Sequence, residues 1–317
     1  MREIGGYIEF ETYKGTLFHD QAIGLNSGRN CLAFLLRARN IKKIALPYFL
    51  CDSVMNLCQK EQVGIRYYQI DETLLPCEVD LQQDEWLYVV NYYGQLSQTQ
   101  LQGLVEKYER VIVDNAQAYF QMPLPGVDTI YTCRKFFGVS DGAFLYTDAL
   151  LDQELPTDES FEHMHFLMGR YERTASEFYQ ENVNNNGRFA KESLKWMSKL
   201  TQNLLRGIDY QDVKATRTQN YTYLHEQLKD LNLLSVQRVE GAFAYPLLLE
   251  NGNQVRKELQ KCKIYIPTLW PNVLAEGKES DLEYRYAKNI LPIPCDQRYG
   301  ITEMEYMCDK IKEITKR

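Results

Sequence analysis

The sequence predicts an α/β protein. A mostly parallel sheet carries helices on both faces, and a small C-terminal α+β subdomain follows it. Three observations carry this expectation. Short apolar runs alternate with helical segments through the first 150 residues. Those runs are apolar on both faces, as strands covered on each side by helices must be. Beyond residue 209 the pattern changes to a long amphipathic stretch and a few mixed elements. At ~100–200 residues per domain, the length of 317 suits a large domain of residues 1–209 and a small one of 210–317.

The elements follow in order. Ile44 to Phe49 is a short apolar run, read as a strand ending near Pro47. Val54 to Gln62 reads as a helix. Gly64 to Asp71, rich in aromatic and β-branched residues, reads as a strand, as does Trp86 to Asn91. Ser97 to Arg110 is helical, with Leu101, Leu104, Val105 and Tyr108 on one face. Arg110 to Asp114, Thr129 to Thr132 and Ala143 to Thr147 are three further strands. Residues 151–195 are polar and read as surface helix around a loop at Asn182 to Gly187, because Asn and Gly tolerate turn conformations. A helical signal returns from Glu192 to about Leu205, and Tyr210 to Leu228 is a second long one. The remainder reads as strand (Ala242 to Leu249), helix (Asn253 to Cys262), strand (Lys263 to Pro267) and helix (Thr302 to Thr315).

Composition narrows the function. The formal net charge is −7 and no run of five basic residues occurs, which argues against nucleic acid as the main partner. The apolar runs are strand-sized, well short of the ~20 residues of a membrane span. The N-terminus lacks an apolar signal-peptide core, so a cytoplasmic location is expected. Eight cysteines include no CxxC pair, and they read as reduced, mostly buried thiols. His163-Met164-His165 reads as a surface pair, because no third ligand accompanies it and no metal is expected.

Three stretches could carry chemistry. Val111-Ile112-Val113 leads into Asp114, and ligands of open α/β sheets bind outside the carboxyl ends of strands. Asp114 there can face a ligand cation, or it can cap a turn. Lys135 follows the next apolar run among aromatic neighbours. It reads either as an amine of lowered pKa, suited to imine chemistry, or as a snorkelling surface lysine. Asn26-Ser27-Gly28-Arg29-Asn30 precedes an apolar helix. Its Gly can let backbone N–H groups hold a phosphate, with a Ser27 hydroxyl beside them, or the stretch can be a simple cap. A phosphate cradle, an aspartate and a lysine together are what a pyridoxal phosphate site needs.

At this point the sequence resembles a family: the fold-type-I pyridoxal phosphate enzymes, and within them the DegT–DnrJ–StrS sugar aminotransferases. Asn26 to Leu32 resembles the family's Ser-Gly-Thr phosphate turn and the helix after it, and Ile44 to Phe49 the strand leading into its Pro-containing loop. Asn91-Tyr92-Tyr93-Gly94-Gln95 is similar to its His-Leu-Tyr-Gly-Gln, and Asp114-Asn115-Ala116-Gln117 matches its Asp-x-Ala-Gln. Lys135 stands six residues before Asp141-Gly142, the spacing of the family's lysine before Glu-Gly. Met197 to Leu200 and Leu291 to Pro294 resemble two later motifs. The seven stretches occur in the family's order. There are also departures: Ile130 replaces a hydroxyl residue, Cys51 stands where an aromatic side chain often stacks on the ring, and Leu194 replaces an Asn.

The resemblance implies a seven-stranded-type sheet and pyridoxal 5′-phosphate as cofactor. It implies a homodimer that moves an amino group from a donor to a nucleotide-linked keto sugar. Lys135 and Asp114 would be catalytic, Lys135 carrying the cofactor and Asp114 contacting the pyridine nitrogen. Gly28 and Arg29 would bind the phosphate, with a hydroxyl from Ser27 or Thr132. Gln117, Asn91 and Cys51 would complete the cofactor's surroundings. Asn184 to Asn186 or Arg188 would reach the partner subunit's site. Two other readings stand beside this one: another pyridoxal phosphate reaction on a sugar, such as dehydration, and a degenerate binding or assembly protein.

Overall fold

The computed structural model describes residues 4–316. Its main feature is a seven-stranded sheet built from β1 (Ile23–Leu25), β2 (Lys43–Pro47), β3 (Gly64–Tyr68), β4 (Glu85–Val90), β5 (Val111–Asp114), β6 (Asp128–Thr132) and β7 (Ala143–Tyr146). The spatial order is β1-β7-β6-β5-β4-β2-β3. Strands β2 to β6 are mutually parallel, and β7 runs antiparallel to both β6 and β1. The crossovers are α1 (Gly28–Ala38), α2 (Asp52–Lys60) and α3 (Gln98–Tyr108). Buried runs explain the strands: every residue of β6 is buried, and only the last residue of β5 is not. The mixed α/β architecture with a mostly parallel seven-stranded sheet is the predicted one.

Topology fixes where a site can form. Strand β3 lies on the edge, and the chain returns past β2 to β4 before continuing outward to β5 and β6. Crossovers therefore leave β2 and β4 in opposite directions, which opens a crevice at the carboxyl ends. Because β7 reverses and β1 reverses again, β1 points the same way as β6. The N-terminus of α1 thus reaches the same edge of the sheet as the ends of β2, β4, β5 and β6.

The rest of the chain comprises α4 (His165–Glu172), α5 (Tyr179–Arg188), α6 (Lys199–Arg206), α7 (Tyr210–Leu228), β8 (Ala244–Leu248), α8 (Gly252–Lys261), α9 (Pro271–Glu276), α10 (Leu282–Asn289), β9 (Ile290–Pro294) and α11 (Ile301–Thr315). Strands β8 and β9 form an antiparallel pair with Pro246 opposite Pro292. A second apolar core joins Tyr221, Leu224, Tyr245, Leu259, Ile293 and Met304. Trp270, Tyr286 and Ile290 pack instead into the core of the large sheet.

Three expectations are corrected here. Asn182 to Gly187 is not a loop but lies within α5. Asn185 there donates to the Ser140 carbonyl at 2.9 Å, and Arg188 pairs with Asp158 at 3.1 Å, so tertiary contacts override weak helix propensity. The helix expected from Glu192 starts only at Lys199. Residues 195–197 are extended instead, because Asn26 N–H donates to the Lys195 carbonyl and Met197 N–H to the Gly24 carbonyl. Lys263 to Pro267 is not a strand: Lys263 has φ +60°, which turns the chain, and the partner of β8 is β9.

Candidate active site

The turn before α1 is built by side chains. Ser27 is the N-cap of α1, its Oγ accepting from Asn30 N–H at 3.2 Å. Asn30 Nδ2 donates to Asn26 Oδ1 at 2.6 Å, and Asn26 Nδ2 donates to Asp158 Oδ2 at 3.0 Å. The brace leaves the Ser27 O–H free to donate elsewhere. A methyl group placed on Gly28 would lie 3.7 Å from Ile130 and 3.9 Å from Thr132. The start of α1 therefore abuts the end of β6, the strand that leads into Lys135.

Asp114 ends β5 and is half-buried. Its Oδ1 accepts from Ala116 N–H at 2.8 Å, and its Oδ2 accepts from the Tyr88 hydroxyl at 2.8 Å. The turn-cap reading is thus satisfied by one oxygen, and the other faces a phenol of β4. Burial and the Asp114 charge both hold the Tyr88 phenol well above its usual pKa, so it stays a donor.

Lys135 sits on the segment between β6 and β7. That segment is tied back at both ends: Phe136 and Phe137 N–H donate to the Cys133 carbonyl at 2.9 Å, and Gly142 N–H donates to the Asn26 carbonyl at 2.7 Å. Gly142 adopts φ +110°, a conformation that side-chain-bearing residues rarely take. The buried Asp141 accepts from Ser198 N–H at 2.8 Å and Ser160 Oγ at 2.6 Å, and also from Thr201 Oγ1. The Lys135 side chain is open to water along part of its length. The protein walled around it still lowers its pKa from the ordinary amine value. Asp114 and Cys51 oppose that shift, and Arg134 adds to it.

Arginines gather beside this lysine. Among the buried side-chain atoms without a hydrogen-bond partner are Arg29 Nε and Nη1, Arg134 Nε and Arg188 Nη2. Arg134 and Arg188 both lie over the Phe189 ring, at 4.5 and 4.2 Å from its centroid. Burial, then the charges of Arg188 and Arg29, bring Arg134 down to about 10. Burial lowers Arg29 as well, against the pull of Cys51 and Asp52. Buried guanidinium N–H groups facing no acceptor are costly, and an anion would satisfy them. Sequence reasoning singled out Arg29 and Arg188 but not Arg134, although its place beside Lys135 was a usable signal.

Other candidates lie elsewhere in the same region. Asn91 is buried, with Nδ2 donating to Asn115 and Gln121, and its Oδ1 accepting from Leu96 N–H. Gln117 Oε1 accepts from Tyr93 N–H at 2.7 Å. Both side chains are engaged by the scaffold, Gln117 holding Tyr93 at φ +55°. Cys51 follows β2 as the N-cap of α2, its thiol 2.8 Å from Ser53 Oγ and close enough to influence Lys135 and Arg29. Thr132 is buried beside Gly28. Asn185, Asn186 and Arg188 bond within their own chain, Asn186 to Arg134 and Arg188 to Asp158. His165 pairs with Glu181 at 2.8 Å. No group of metal-ligating side chains occurs among the described residues, and no helix there is long and apolar enough to cross a membrane.

No model of a known protein family matches the chain, and no curated protein matches it in sequence. Solved structures do match. The sugar aminotransferase CalS13 from Micromonospora echinospora superposes with a TM-score of 0.63 at 14% identity, over 93% of this chain and 87% of that one. A DegT DnrJ EryC1 StrS aminotransferase from Brucella abortus gives 0.62 at 13% identity, over 92% and 85%. NtdA from Bacillus subtilis, with bound cofactor PMP, gives 0.63 at 11% identity, over 93% and 73%. The fold is that of the fold-type-I aminotransferases.

The donor set suits a phosphorylated pyridine aldehyde. An amine of lowered pKa would hold the aldehyde, a carboxylate the ring nitrogen, and the guanidinium N–H groups without acceptors, on Arg29 in the first turn of α1 and on Arg134, the phosphate. Arg29 and Arg134 would supply charge there, where Ile130 has no hydroxyl to offer.

Proposed function

We propose that this chain is a pyridoxal 5′-phosphate-dependent aminotransferase acting on a nucleotide-linked keto sugar in polysaccharide or amino-sugar biosynthesis. The observation that supports it best is the convergence of Lys135, Asp114 and the guanidinium N–H groups of Arg29 and Arg134 that lack acceptors at one edge of the sheet. Bound there, the cofactor supplies an electron sink for a breaking C–H bond. The chain's own residues have distinct parts in this reading. Lys135, an amine of lowered pKa, would hold the cofactor's aldehyde and carry a proton to and from the reacting carbon. Asp114 holds a proton on the ring nitrogen. Gly28 N–H, the Ser27 hydroxyl and the two arginines bind the phosphate. In this proposal residues 1–209 form the cofactor domain and 210–317 the small one. The protein works as a cytoplasmic homodimer, and its eight free cysteines suit a reducing compartment.

A non-catalytic reading has its own observation: the Asn91 and Gln117 side chains are taken up by the scaffold. One set of measurements separates the two. Added pyridoxal phosphate should give visible absorbance, and borohydride should then fix it on the peptide carrying Lys135. The loaded protein should aminate a member of a panel of nucleotide keto sugars, read by mass spectrometry. Label on another lysine removes the site assignment. Labelled Lys135 with no amination of any sugar favours a binder.

A further inference from the structure

Arg217, on α7, is the largest side chain in the fully buried set and is only 1% exposed. Burial lowers its pKa, with Cys295 and Asp296 opposing the shift and Arg298 adding to it. Its donors go to neutral groups. Nη1 donates to the Ala242 carbonyl at 2.8 Å, Nη2 to the Phe136 carbonyl at 3.2 Å and Nε to Gln297 Oε1 at 2.7 Å. Gln297 Nε2 donates to the same Phe136 carbonyl at 2.8 Å. The guanidinium also lies 4.6 Å from the Phe136 ring centroid. Burying a charge against neutral acceptors is expensive compared with an apolar side chain of similar volume. Stability alone is therefore a poor account of it.

The two gripped carbonyls supply the account. Phe136 is the residue after Lys135, and Ala242 is the residue before Phe243. The Phe243 ring stands 5.6 Å from Lys135 Nζ. One guanidinium thus clamps the backbone one residue after the amine to the peptide that leads into Phe243, the ring against which the amine rests. We propose that Arg217, with Gln297, is a positioning residue for Lys135. It fixes the amine against Phe243 from the far side of the loop and touches neither cofactor nor substrate. This rests on the reading of Lys135 as the reacting amine.

The groups that face Lys135 are Asp114, Cys51 and Arg134, and the variants below leave all of them in place. If the clamp is loosened, the amine leaves its place beside Phe243, meets water on that side too, and its titration moves up toward that of an ordinary lysine. The experiment is competitive acetylation of the cofactor-free protein with acetic anhydride across pH, read peptide by peptide. The exposed Lys107 serves as internal reference. Arg217→Lys and Gln297→Leu should each raise the Lys135 midpoint by at least half a pH unit and lower its labelling at pH 7 by threefold or more. Arg217→Met should do more, with Lys107 unchanged. Gln297 is only partly buried, so Gln297→Leu tests the clamp even if Arg217→Met does not fold. Well-folded Arg217→Lys and Gln297→Leu proteins with wild-type Lys135 titration would overturn the proposal. Because no cofactor is added, this outcome is independent of whether pyridoxal phosphate binds. Absence of visible absorbance in the loaded wild type would instead remove the functional reading.

Discussion

Tyr88 donates its hydroxyl to Asp114 Oδ2 at 2.8 Å, across the boundary between neighbouring strands of the sheet. The phenol fixes the orientation of the carboxylate while leaving its charge intact, and Ala116 N–H holds the other oxygen. Asp114→Asn keeps the shape and can retain one of those bonds, so the fold should persist. If the carboxylate serves the ring nitrogen, turnover should fall ~10²-fold or more, about 3 kcal/mol of barrier. Tyr88→Phe should cost about 1 kcal/mol of stability and a smaller loss of turnover. Steady-state kinetics of the two variants, beside their melting curves, check this. Near-wild-type turnover in Asp114→Asn would reduce Asp114 to a turn cap.

The arginines make a prediction about phosphate. Arg134 Nε is buried without a partner, and its neighbours Arg29 and Arg188 are also cationic. A charge-assisted hydrogen bond contributes ~1.5–3 kcal/mol, so Arg134→Gln should weaken pyridoxal phosphate binding roughly 10- to 100-fold. Binding of pyridoxal, which lacks the phosphate, should change little. Absorbance titrations with both ligands test the difference, and equal losses would place Arg134 outside the phosphate site.

His19 governs part of the acid stability. It is completely buried among aromatic rings. Nε2 lies 2.9 Å from the Tyr119 carbonyl and so must carry the hydrogen, and Nδ1 accepts from the Tyr146 hydroxyl at 3.1 Å. The neutral ring is satisfied at both nitrogens, and burial lowers the pKa from 6.5 to about 4. Between those values the unfolded chain binds a proton that the folded chain does not. Stability should therefore fall as pH drops from about 6.5 to about 4 and level off below, by up to roughly 3 kcal/mol from this group. Urea unfolding of wild type and His19→Phe across that window measures it. The variant should lose stability less steeply, and identical slopes would contradict the assignment.

The proposed assembly is tested by mass. The monomer is 37.2 kDa, and light scattering at micromolar protein should give about twice that value. Large apolar side chains at Ile4, Tyr7, Ile8, Tyr171 and Tyr179 are exposed on the single chain and are available to such an interface. A monomer mass would remove the homodimer from the proposal.

Local pattern carried the sheet and the order of the candidate site. Runs such as Val111 to Val113 are short, β-branched and apolar on both faces, which suits a strand between helical layers, so β5 and the position of Asp114 at its end were legible from the local pattern. Ser27 followed by an apolar helix was legible as a cap, and it is one. Strand β1 was not legible, because three residues carry no period and it exists only by pairing with β7. Nor was α5, whose Asn-rich turns depend on contacts with Ser140 and Asp158. Asn91 and Gln117 were legible as positions, but where their amides point was decided by partners at Asn115, Gln121 and Tyr93. Nothing in the sequence marked Arg134 or Arg217 as buried, since nothing adjacent in sequence says that a side chain will be buried. The sequence by itself determined most of the strands and helices of the large sheet and where an aspartate, a lysine and a helix N-terminus fall along the chain, because those depend on short-range periodicity and capping. Only the tertiary structure decided that the three share one edge of the sheet, that unpartnered guanidiniums gather there, and that Arg217 grips the lysine loop from behind, because burial and hydrogen-bond choice are settled by residues far apart in the chain.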